Sequence, residues 1–72
     1  MEVPIEVRAE LGRTPPTNLE MSMLFWASYI QAAGETLLEY AFQGDNDKGR
    51  DKAAKIAAAS IRLVEYLNQD WP

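Results

Sequence analysis

The chain predicts an all-α fold: an antiparallel helical hairpin of two long helices with a short N-terminal arm, assembling into a helical-bundle oligomer. Three observations carry that expectation. Apolar residues recur at Leu19, Met23, Trp26, Ile30, Ala33, Leu37 and Tyr40, alternately four and three residues apart, which is a heptad seam. Gly44-Asp45-Asn46-Asp47 then interrupts it with turn chemistry. A second periodic stretch follows at once, and a connection this short forces the two helices to run antiparallel.

The oligomer is inferred from a surplus of apolar surface. Leu24, Ala27, Gly34, Leu38 and Ala41 widen the first seam, and Met21, Phe25, Tyr29 and Ala32 are apolar or small on yet another side. A helix apolar nearly all round is normally buried all round. A chain of 72 residues has too little mass to surround one. It contains neither Cys nor His, so disulfides, Cys/His zinc sites and imidazole acid–base catalysis are excluded. Association with further copies is the means of stabilisation that remains for so small a core.

Seven Lys/Arg against eleven Asp/Glu give a net charge of -4. Duplex nucleic acid, which needs a cationic surplus to displace counterions, is not an expected partner. Ser22, Ser28 and Gln31 break the apolar run short of a membrane span, and MEVPIEVRAEL lacks a signal peptide's basic flank and apolar centre. The expectation is a cytoplasmic protein without membrane association.

Taken in order, the chain reads as a single domain over 1–72. Val3, Ile5, Val7, Ala9 and Leu11 alternate with polar residues or proline, a period-two pattern that suits an extended segment. A short helix or irregular arm over 1–11, with Pro4 in the first turn and Gly12 just past the end, is favoured over it. A lone strand would need a partner from another copy. A linker over 12–16 is held extended by Pro15 and Pro16. Thr17-Asn18-Leu19-Glu20 forms a capping box opening a helix over 17–43, where Thr17→Ala would cost roughly 1 kcal/mol. Gly34 inside that helix suggests a close approach by another helix. Gly44 ends the helix as a left-handed cap, 44–47 is the turn, and Asn46 or Asp47 caps the second helix over 48–69. The second seam is Ala53, Ile56/Ala57, Ser60, Leu63/Val64 and Leu67, with small residues opposite the bulky Trp26, Ile30 and Leu37. In the tail over 70–72, Trp71 is expected to fold back near Met23 or Trp26.

The acidic loop invites a calcium reading, but the EF-hand positions that want an acid or amide, a glycine and a glutamate hold Gly49, Arg50 and Ile56. No metal site is assigned. Glu35 and Glu39, one turn apart, have no nucleophile, metal or phosphate loop beside them and read as a solvated face. No catalytic residue and no cofactor is expected. The basic cluster Lys48, Arg50, Lys52 and Lys55 overlaps the N-terminus of the second helix and is the candidate site for an anionic nucleotide, with Tyr29 as a stacking surface. The interleaved acids Asp45, Asp47 and Asp51 offer the plainer account, a neutralised first turn. Phe25, Tyr29 and Phe42 lie off the intramolecular seam and, with Met21 and Trp71, are the candidate interface residues.

Ile30, Ala33-Gly34 and Leu37-Leu38 in the first helix, with Ala57 through Leu63-Val64 to Gln69 and the terminal Pro72, give the hairpin a likeness to a known group. It resembles the small phage proteins that sequester the cyclic nucleotide signals of the bacterial CBASS defence. The resemblance implies a short N-terminal element before a helical hairpin, and a multimer holding ligands between subunits. No ligand residue is assigned from it. The functional expectation is a non-enzymatic, self-associating helical module acting through protein–protein contacts as a small inhibitor or adaptor. The alternative is a sponge for cyclic nucleotides at subunit interfaces.

Overall fold

The computed structural model describes residues 2–14 and 23–68. Every regular element among them is helical: α1 (Ile5–Arg13), α2 (Met23–Gln43) and α3 (Asn46–Leu67). The expected hairpin is α2 and α3. The N-terminal arm is a third helix rather than an appendage, and no strand occurs among the described residues.

The arm is helical despite its period-two pattern, and it packs against α3. Pro4 takes the N-cap position, and its carbonyl accepts from the Val7 and Arg8 amides, each at 3.1 Å. Val7 and Glu10, three apart, are the residues buried, while Ile5 is left exposed. Gly12 lies inside α1 rather than past its end, so the expected linker loses Gly12 and Arg13 to the helix. Termination comes at Thr14, which is extended (φ -97, ψ 115). It precedes Pro15 in the sequence, and a residue before proline is disfavoured from helical geometry. Its hydroxyl donates back to the Glu10 carbonyl at 2.7 Å.

The α2–α3 connection follows from two residues. Gly44 has φ +71, the left-handed conformation a side chain resists. Its amide donates to the Ala41 carbonyl at 3.2 Å and the Asp45 amide to the Tyr40 carbonyl at 3.0 Å, the paired bonds of a Schellman ending. Asp45, not Asn46 or Asp47, caps α3: its carboxylate accepts from the Lys48 amide at 3.0 Å. The Schellman turn places Asp45 at the first position free to cap, which moves the start of α3 two residues earlier than expected. The Thr17 capping box, Met21, Gln69 and Trp71 lie outside the described residues.

α3 is the central element. It packs against α2 on one side and α1 on another, while the backbones of α1 and α2 stay apart. This corrects the expected seam. Ala54, Ala58 and Ala59 are the buried positions, whereas Ala53, Val64 and Leu67 are exposed. A helix with two partners buries two stripes, and small side chains let both neighbours approach. On α2 the expected seam holds at its centre, where Trp26 and Ala33 are buried. Gly49 marks a close approach in the hairpin, with Leu37 Cδ1 3.8 Å from where a β-carbon would stand.

Gly34 is not such a place: nothing lies within 4 Å of its added β-carbon, so α3 does not supply the approach expected there. Gly34→Ala should therefore gain about 1 kcal/mol from helix propensity and lower unfolded-state entropy. At fixed protein concentration that is a rise in Tm of roughly 4–8 °C for a domain this size. A fall in Tm by calorimetry would show that the position needs glycine for contacts outside the chain.

Candidate functional site

Three elements converge on one groove. The C-terminal half of α1 contributes Glu10, Arg13 and Thr14, α2 contributes Phe25, Trp26 and Tyr29, and α3 contributes Lys55 and Ala59, around a space of about 270 Å³. Each side chain arrives there for a local reason. Trp26 is the bulkiest residue of the α2 seam, and Ala59 across from it is small enough to admit an indole. Phe25 and Tyr29 flank Trp26 on the helix surface and meet its ring edge-on, at centroid distances of 5.3 and 6.3 Å. Edge-to-face packing of this kind adds to the area buried.

The groove is polar on its α1 side. Glu10 is only 8% exposed, and a carboxylate that dry needs a cation. Arg13 supplies it, with Nη1 donating to Oε1 at 2.7 Å. Lys55 bonds to Asp51 at 3.1 Å. That hydrogen bond, with the aspartate's charge, holds the lysine above its ordinary value, and Glu10 and Tyr29 add to the effect. What the raised value contributes to stability is present below the ordinary lysine range and lost as pH rises through the raised value. Lys55 therefore stays charged throughout the neutral range. Charges around the groove alternate in sign, which leaves it without a strong field of either sign.

Trp26 carries an unresolved donor. Its Nε1 is buried with no hydrogen-bond partner. A buried unpaired N–H costs about 1–3 kcal/mol, so an acceptor placed on it would be favourable.

Of the sequence-predicted ligand residues, the structure brings together Tyr29 and Lys55. Lys48, Lys52 and Lys55 follow one stripe of α3, while Arg50 is on another side of the helix, near Asp47 at 3.6 Å. Lys48 lies over the Tyr40 ring at 5.9 Å. The four cations do not converge, because helical geometry spreads eight consecutive residues over more than two turns. Among the candidate interface residues, Phe25 and Tyr29 are partly exposed along the groove and Phe42 is 84% exposed at the far end of α2. Sequence reasoning missed Glu10, Arg13, Trp26 as a donor, and Arg62. A signal existed for the last: Arg62 is the one cation after Lys55 in the sequence, set among apolar residues.

Arg62 ties α1 to α3. Its Nη2 donates to the carbonyls of Leu11 at 3.0 Å and Thr14 at 3.2 Å, and its Nε to Thr14 at 3.3 Å. The last carbonyls of a helix have no intrahelical partner, and a cation there is also favoured by the helix dipole. Its Nη1 reaches Glu65 at 2.8 Å. One guanidinium thus caps α1 and anchors the α1 edge of the groove.

Of the acids, Asp45 caps α3, Asp47 faces Arg50, and Glu35 and Glu39 are exposed. Among the described residues no three acidic side chains gather as a metal site, and no helix is long and apolar enough to cross a membrane. Comparison with known protein families, curated proteins and solved structures gives no match.

Proposed function

We propose that the chain is a non-enzymatic, self-associating helical binding module that works through protein–protein contacts, as a small inhibitor or adaptor. The observation that carries the reading is the outer side of α2, where Leu24 is 74%, Leu38 56% and Phe42 84% exposed. Single exposed apolar residues are ordinary, but a run of them along one helix marks a contact surface. Sedimentation equilibrium tests it. The expected result is a mass that is a multiple of the 8.1 kDa protomer at micromolar concentration, reduced to the protomer mass by Leu38→Glu. A protomer mass for the unaltered chain at every concentration overturns it.

A second reading draws support from the groove, where Tyr29 and Lys55 stand together. In it the groove takes an anionic nucleotide: Tyr29 stacks on the base and Lys55 meets a phosphate. Calorimetry with cyclic di- and trinucleotides is expected to give heat that Lys55→Ala abolishes. No heat and no thermal shift remove this reading.

A further inference from the structure

The outer side of α2 carries a second heptad pattern, distinct from the one that faces α3. Leu24, Gln31 and Leu38 recur seven apart, and Ala27, Gly34 and Ala41 follow each of them by three. In heptad terms the large residues hold one seam position and the small residues the other. Leu24 and Leu38 are among the most exposed apolar side chains, Ala27, Gln31 and Ala41 are exposed, and Gly34 has open space before it.

We propose that this seam binds the same seam of a second copy, with the two α2 helices antiparallel. The proposal rests on the self-association reading above and adds its geometry. In an antiparallel pair, one seam position always faces the other. Leu24 of one copy then meets Ala41 of the other, Ala27 meets Leu38, and Gln31 meets Gly34. The same pairs repeat beyond the dyad, so every layer sets one large residue against one small one. In a parallel pair like faces like: Leu meets Leu and Gln meets Gln, while Ala and Gly layers between them leave voids. Close-packed interfaces do not tolerate that alternation of crowding and gaps. The antiparallel register lets the axes approach to about 8 Å, the near limit for packed helices. Gly34, which α3 leaves uncontacted, is covered in the pair by Gln31 of the other copy, at a seam position where Ala27 and Ala41 are equally accommodated.

The area suffices for a specific dimer. At one end Ala41 and Ala53 line a shallow groove with Leu37, Tyr40 and the charged Asp45 and Arg50, and the exposed Ala53, Val64 and Leu67 carry the face along α3 at helical spacing. A two-helix face about 30 Å long and about 20 Å wide presents about 600 Å² per copy. Twice that clears the roughly 1,000 Å² expected of a biological interface.

The chain has no cysteine, so introduced thiols report without background. Ala27→Cys and Leu38→Cys are made as separate single variants and oxidised alone and as an equimolar mixture. The antiparallel register places like positions about 17 Å apart along the axis, beyond the reach of a disulfide, and unlike positions face to face. The expected result is a covalent dimer from the mixture and little from either variant alone. Gly34→Glu, in open space within the protomer, is expected to keep the helical circular dichroism while sedimenting as protomer. Single variants that cross-link to themselves, or a sedimenting dimer whose mixture does not cross-link, overturn the antiparallel seam and leave self-association standing. A protomer mass for the unaltered chain overturns both.

Discussion

Trp26→Ala is expected to unfold the protein at room temperature or bring it to the edge of unfolding. Trp26 is 4% exposed, and among the described residues the other buried apolar side chains are Val7 and four alanines. The indole is the largest buried side chain among the described residues. Removing a buried Trp or Phe costs about 3–5 kcal/mol. Native domains hold only about 5–15 kcal/mol, and a chain this short sits at the low end. Urea denaturation followed by circular dichroism should show the midpoint falling to near zero. Trp26→Phe is the informative companion. It keeps the aromatic bulk and discards an N–H that finds no acceptor, so its cost should fall well below that of alanine. Equal losses for the two variants would show that the indole donor has an acceptor after all.

Arg62→Met should release α1 while leaving the α2–α3 hairpin intact. The variant keeps the apolar stem and removes the guanidinium that donates to Leu11 and Thr14. Hydrogen bonds from a charged donor are worth about 1.5–3 kcal/mol net, and the side chain is 18% exposed, so a loss of about 2–3 kcal/mol is expected. Little of it comes from Glu65, whose half-exposed pairing is worth a few tenths. Hydrogen exchange should show α1 amides losing protection with those of α2 and α3 near their original values. Arg62→Lys should rescue only part of the loss, because one ammonium can stand in for Nη2 at both carbonyls but not for the separate donors Nε to Thr14 and Nη1 to Glu65. Unchanged protection in α1 would mean that the packing of α1 on α3 holds it without the guanidinium.

Much of the hairpin was legible because its signals are local. Gly44 is the left-handed stop that its place after the first periodic run implied. Trp26 and Ala33 lie on the buried side that the four-and-three spacing indicated. The ion pairs Asp51–Lys55 and Arg62–Glu65 likewise need only local helical spacing, four and three residues. The arm was ambiguous because its alternation fits a strand, and nothing in a short segment says which neighbour will cover it. The groove was legible in part. Tyr29 and Lys55 could be named, yet the burial of Glu10 depends on α1 lying against α3.

Chemistry within a few residues, then, set where α2 ends, where α3 can begin, and which stripe of α2 is driest. Those features depend on backbone sterics and side-chain reach, which act over a turn or two of chain. Three-dimensional packing decided the rest. It made α3 the middle of three helices, turned Ala54 and Ala58 inward in place of Ala53 and Val64, and joined Arg62 to a carbonyl 51 positions away in the chain. Such choices follow from which surfaces meet, and neither periodicity nor propensity encodes that.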